Sequence, residues 1–430
     1  MAEIASAGRD ASDAITTRRR RNGDLPLDLI ILVFYLSKLL YNSGLKMPPR
    51  VRKRKAEDPE EPPKPEQDDK KRVKVDLGEQ LPQNTSGLLA LPVELFDKIY
   101  ENLLGEAQLI TREDVLDNKP HLDETFVYRT DVLRALTQTC HALRASCLPK
   151  YYEHVEACVV RGSRVWYKQL AERLESTSRM LVECPHLAEH VRVVTVSLTR
   201  TSTESVLPAF AACLKALPNL HTLRVMHAHS QMTTALKNAF EKVNLPQIRT
   251  LILPTCAHNI LRACPNAMDV TCNEGDGSQL ISAMAKAAPN VEVVDRICLW
   301  NDATAKRLAR AAPEVRELRV SLVDKLLPFL KRKNLAKIRI TTNVQSDKAE
   351  DRAHDLAVAL EGSSTYVDVA KTVVASSAVK SGKTVEVVFK VRDFEREAAA
   401  REKKPYEHEY FYKVGKTVEY PAPSELYTLR

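Results

Sequence analysis

The 430-residue sequence predicts an α/β chain: a horseshoe-shaped solenoid of strand–helix units, preceded by a small all-α region and a disordered N-terminal tail. Two observations carry this. A short apolar pattern recurs between residues 180 and 345, each time behind a helix-like run, and residues 48–80 hold almost no large apolar side chain.

The repeat comes first. LPNLHTLRV at Pro218, LPQIRTLIL at Pro246, CPNAMDVTC at Pro265, APNVEVVDR at Pro289 and APEVRELRV at Pro313 share one form: proline, then apolar positions two, five and seven residues on. CPHLAEHVRVVTVSL at Pro185 is a longer first member, and KNLAKIRIT near Leu335 is a last one without the proline. Successive prolines lie 33, 28, 19, 24 and 24 residues apart, behind helix-like runs such as 205–217, 280–288 and 303–312. A short alternating strand after a helix, at ~20–29 residues per unit, is the leucine-rich-repeat arrangement. No single unit buries its own apolar face, so neighbours must stack. The Pro289 unit falls out of register after Val293. The solenoid is expected over residues 161–345 and a C-terminal cap over 346–430. In the cap, VEVVFKV at Val385 and EYFYKVGKTVEY near Tyr410 suggest strands, with a charged helix over 392–404 between them.

Side chains alternate along a strand, so the residues flanking each central apolar position share one face. That places Thr222 and Arg224, Thr250 and Ile252, Asp269 and Thr271, Glu317 and Arg319, and Lys337 and Arg339 on the concave side. Arg224, Arg319, Lys337 and Arg339 are the expected substrate-binding residues. They make the face modestly basic, with Asp269 and Glu317 as counterweights, and suggest a partner with an acidic or phosphorylated segment, since arginine pairs bidentately with carboxylate or phosphate. The alternative is that these are solvated strand residues and that a loop or the C-terminal cap makes the contact.

Ahead of the repeats, residues 47–87 are expected to be disordered, because such a segment cannot bury enough surface to offset chain entropy. Two basic clusters in it, Arg52, Lys53, Arg54 and Lys55, then Lys70, Lys71, Arg72 and Lys74, resemble a bipartite nuclear-import signal. Nuclear localisation is expected, with a cytoplasmic pool allowed. Residues 1–46 are read as an extension ahead of Met47. Their basic cluster at 18–21 precedes an apolar run at 29–36 that is short of the ~20 residues a spanning helix needs, so no membrane partner is expected. A net charge of +8 permits acidic partners without pointing to nucleic acid. Nine cysteines without a CxxC pair do not read as a disulfide framework.

Residues 88–160 read as helices. Leu91-Pro92 opens one, with Leu95, Ile99 and Leu103 recurring every fourth residue. After an unpatterned stretch at 105–130, Leu133, Leu136, Cys140, Leu143 and Cys147 follow a three-and-four spacing that Pro149 closes. The pattern LPxEL with its following helix, then Leu133-x-x-Leu136-x-x-Thr139-Cys140-x-x-Leu143-Arg144, resembles the F-box. A repeat region after it resembles the F-box/leucine-rich-repeat family. The departures are Thr139 and Leu143, where the family has valine and tryptophan, and the long 105–130 insertion. The resemblance implies a non-catalytic substrate-recognition subunit of a cullin–RING ubiquitin ligase. Leu91, Pro92, Leu95, Ile99, Leu103, Leu133 and Leu136 would line or support the interface with the Skp adaptor, and the adaptor would tether the chain to a cullin scaffold. The repeats would hold a protein substrate, with no cofactor and no small-molecule substrate. The alternative is a nuclear leucine-rich-repeat scaffold that does not bind the adaptor.

Other motifs are weaker. The stretch from Ser377 through Gly382, Lys383 and Thr384 nearly matches a phosphate-binding loop, but it lacks the first glycine and a strand follows where a helix is needed. His221, His227 and His229, and Cys256, His258 and Cys264, lack a recognised metal-ligand spacing.

Overall fold

The computed structural model describes residues 94, 95, 98, 109–117, 119–162, 165–321, 326–329, 332–346, 348–395, 397–398 and 412–421. Two compact units divide the chain: Met1–Gly105 with Thr139–Leu143, and Glu106–Gln138 with Arg144–Arg430. In the first, Glu94, Leu95 and Lys98 are helical. Leu91, Pro92, Ile99, Leu103, the tail and both basic clusters lie outside the described residues.

The second unit is built on a ten-stranded sheet whose spatial order is its sequence order. Its strands are β1 (His154–Ala157), β2 (Val193–Leu198), β3 (Thr222–Ala228), β4 (Thr250–Leu253), β5 (Asp269–Cys272), β6 (Val293–Asp295), β7 (Glu317–Val320), β8 (Lys337–Val344), β9 (Thr384–Arg392) and β10 (Tyr412–Pro421). Each of β1 to β8 pairs in parallel with the strand that follows it, and β10 returns antiparallel to β9. Parallel neighbours need a crossover, and helices supply it between most of them.

The repeat proline sets the unit's geometry. In all five proline units the strand begins four residues after the proline: Thr222 after Pro218, Thr250 after Pro246, Asp269 after Pro265, Val293 after Pro289 and Glu317 after Pro313. A residue before proline is pushed out of the helical region. Leu217, Ala288 and Ala312 obey this, with ψ of 94°, 66° and 73°, and each ends its helix: Thr203–Ala216, Ser278–Ala287 and Asp302–Ala311. The proline therefore stops the helix and starts the turn into the strand.

One face of the sheet meets these helices. Its central row, Val194, Leu223, Leu251, Val270, Val294, Leu318, Ile338 and Val385, is buried in a single apolar core shared with Leu280, Met284 and Leu308 of the helices. Fully burying a leucine stabilises by ~1.5–3 kcal/mol, so this row outweighs any single ion pair on the other face.

The slip in the Pro289 unit has a visible form. Arg296 stands where the other units place their third apolar residue, and it adopts a left-handed φ of 57°. Ile297 takes over the buried position. Gly275, at φ 87°, makes a neighbouring turn, and a Cβ there would lie 2.7 Å from Thr255 Oγ1, which accepts from the Gly277 amide. Gly275→Ala is expected to cost ~1–3 kcal/mol, from left-handed strain plus that clash. Gly162→Ala, at φ 52° with nothing within 4 Å, should cost about 1 kcal/mol or less. Urea midpoints of the two variants make the comparison, and equal losses would refute it.

Three expectations are corrected. The sheet begins at β1, inside the stretch read as purely helical. Pro149 does not close its helix, which runs His141–Tyr152 through it. Arg392 ends β9 instead of opening a charged helix; residues 394–395 and 397–398 are helical, and 399–411 lie outside the described residues.

Candidate functional site: the open face of the sheet

The face turned away from the helices carries the flanking residues as expected. Strand pairing lines up Glu156, Thr195, Arg224, Ile252, Thr271, Asp295, Arg319, Arg339 and Glu386 in one row across nine strands. A second row holds Thr222, Thr250, Asp269, Val293, Glu317, Lys337 and Thr384.

The four cations expected to await an acidic partner are already engaged. Arg319 donates through Nε to Glu317 at 2.8 Å and lies 3.7 Å from Asp295. Lys337 and Arg339 both pair with Glu386, the latter at 3.1 Å. Burial alone would raise the Glu317 carboxyl, but the hydrogen bond and charge of Arg319, with Arg339 and Lys337, hold it below the usual carboxylate range. Glu386 is lowered in the same way, against burial, by Lys337 and Arg339. Cross-strand pairs of opposite charge contribute ~0.2–1 kcal/mol each, so the ladder also supports the sheet. Glu386 lies in β9, in the segment read as a cap, and its register with Arg339 is a tertiary fact. The surface is therefore a charge-paired ladder, and the modestly basic face that the sequence suggested has its cations already partnered.

Arg224 has a different fate. Its Nη1 donates to the Ile110 carbonyl at 2.6 Å, and burial, with the charge of Arg112, lowers its pKa. Ile110 belongs to the stretch read as an unpatterned insertion. Residues 110–116 of it instead lie across the open face. Thr111 and Asp114 form a capping box, Thr111 N donating to Asp114 Oδ2 at 2.8 Å and Asp114 N to Thr111 Oγ1 at 3.2 Å, and start the short helix Arg112–Leu116. Ile110 and Val115 are buried with Leu122, Val127, Met226 and Ile252 in a second apolar cluster. Further on, the Leu122 amide donates to Cys158 and Val160 donates back to Leu122, pairing this segment with the chain beyond β1.

Arg112 reaches the ladder itself. Nη1 donates to Asp269 Oδ2 at 3.1 Å, Nη2 to Asp295 Oδ2 at 2.8 Å, and Nη2 also to Thr271 Oγ1. A planar guanidinium satisfies two carboxylates and a hydroxyl at once, which an ammonium does less well. The sequence held the signal in Thr-Arg-Glu-Asp, a cap followed by a short helix, but gave no reason to seat it on the sheet.

Of the residues expected at the adaptor interface, Leu95 is 49% exposed, whereas Leu133 and Leu136 are buried in the helix Tyr128–Thr137. Buried leucines can support a surface without presenting themselves to a partner. The metal-like groups have ordinary partners: His227 Nδ1 meets Glu274 at 3.0 Å, Cys256 donates to the Ala228 carbonyl, and Cys264 to that of Ile260. Lys383, in the phosphate-loop lookalike, is buried and donates to the carbonyls of Ala375 and Ser377 at the end of the helix Ser364–Ala375, and Thr384 then begins β9. No helix among the described residues is long and apolar enough to cross a membrane.

Fold and surface together define an α/β protein whose mostly parallel sheet buries one face under helices and bears a charged ladder, partly covered by its own chain, on the other. No protein-family model and no curated protein matches the chain.

Proposed function

We propose that the chain is the substrate-recognition subunit of a cullin–RING ubiquitin ligase. Its F-box-like region would dock on the Skp adaptor, and the open face of a leucine-rich-repeat solenoid would hold a protein substrate. The observation that carries this reading is Leu95. It sits in a helical turn, half exposed, in the same compact unit as Thr139–Leu143, which carry the Thr139-Cys140-x-x-Leu143 part of the F-box-like pattern. The strictly sequential parallel order from β1 to β9 supports the repeat half of the reading. A non-catalytic role fits a face that offers paired charges and already holds a segment of chain. The burial of Leu133 and Leu136 favours a second reading, a nuclear scaffold that does not engage the adaptor. Co-purification with the Skp adaptor separates the two.

The localisation part is tested on the tail. With Arg52–Lys55 and Lys70–Lys74 replaced by alanine, a tagged protein starting at Met47 should leave the nucleus, as microscopy reads directly. An unchanged nuclear signal would make the clusters a solvated charged tail.

A further inference from the structure

The unit that slips register and the segment covering the open face meet at one place. Arg296, the left-handed residue in the slipped Pro289 unit, donates through Nη1 to the Leu116 carbonyl at 2.8 Å. Such backbone strain persists only where its surroundings demand it, and here it aims a side chain at the covering segment. A second arginine holds that segment by its main chain. Arg224 donates to the carbonyl of Ile110, and Asn273 Nδ2 lies 3.5 Å from that of Val115. Between these points Arg112 enters the Asp269–Thr271–Asp295 fork.

This is how a peptide is held. Two arginine donors, Arg224 in β3 and Arg296 just past β6, grip main-chain carbonyls whatever the side chains there, while one charged fork and the apolar cluster under Ile110 and Val115 select the sequence. Leu122, by contrast, is tied down by backbone hydrogen bonds of its own. Among the described residues no backbone–backbone bond joins 109–117 to the sheet.

We propose that the Asp269–Thr271–Asp295 fork and its flanks form a recognition site for an arginine-bearing segment, with an apolar residue two before and another three after the arginine. Residues 109–117 are its built-in occupant, and a substrate of the same pattern displaces them. The word substrate rests on the open-face reading above; the site itself does not. The inference replaces an acidic partner with a basic one, because the carboxylates at this end of the ladder already select a guanidinium.

A fluorescent peptide of residues 107–118, titrated against the full chain, provides the test. The built-in segment competes at a high effective concentration, so the unaltered chain should bind the peptide at least tenfold more weakly than Arg112→Ala. In the Arg112→Ala background, Asp295→Asn should weaken binding tenfold or more, and so should lysine in place of the peptide's arginine. Equal binding by the unaltered chain and Arg112→Ala, or none by a folded Arg112→Ala, overturns the proposal. If Arg112→Ala does not fold, hydrogen exchange on the unaltered chain decides. Amides of 110–117 should exchange by local opening at least a hundredfold faster than those of β4 to β6. Exchange in step with those strands would make the segment an integral part of the fold and overturn the proposal. Adaptor capture by the same preparations keeps the readings apart: capture without peptide binding removes only this inference, and peptide binding without capture removes only the ubiquitin-ligase reading.

Discussion

Asp295→Ala should lower stability by ~2–3 kcal/mol, because one carboxylate oxygen serves two arginines. Asp295 Oδ2 lies 2.8 Å from Arg112 Nη2 and 3.7 Å from Arg319 Nη1. Removing one partner of a fully buried pair costs about 3–5 kcal/mol. The lower figure applies here because the three side chains keep 12–21% of their surface in water and each arginine retains a second carboxylate. The cost should be non-additive with Arg112→Ala. If Arg112 is held largely by Asp295, the double variant loses ~1–2 kcal/mol less than the sum of the two singles. Urea unfolding of the four proteins measures it. Full additivity would show that the fork does not couple the covering segment to the sheet.

Leu95→Asp with Ile99→Asp should abolish capture of the Skp adaptor. Each apolar side chain buried in the complex contributes ~1.5–3 kcal/mol, and the two together correspond to at least a hundredfold in affinity. Leu95 is half exposed in the chain alone, so its replacement is expected to spare the fold, which circular dichroism and the urea midpoint check. Undiminished capture by a folded double variant would remove the F-box assignment and leave the scaffold reading.

Much of the sheet was legible in the sequence, because its cause is local. In the repeat units the pre-proline residue is pushed out of the helical region, and the apolar positions two, five and seven residues after the proline face one core, so strand starts and the buried row follow from spacing. Even the slip at Arg296 was visible as a break in that spacing. The open-face residues were likewise placed correctly, since alternation along a strand fixes them.

Their chemistry was not legible. Arg319 meets Glu317 on its own strand, but whether Lys337 and Arg339 stand free depends on which carboxylates lie on neighbouring strands, and Glu386 reaches those two across 47 or more residues of chain. The insertion was the larger surprise. Residues 109–117 have only one turn of helix and a capping box, too little periodicity to assign a face, and what places them is contact with residues up to 180 positions away. The sequence by itself determined the repeating unit, the direction of its side chains and the stops of its helices, because these depend on steric rules between near neighbours. Only the tertiary structure decided which charges are already paired and that the chain covers part of its own open face, because Coulomb and hydrogen-bond partners are chosen by distance in space, which spacing along the chain does not encode.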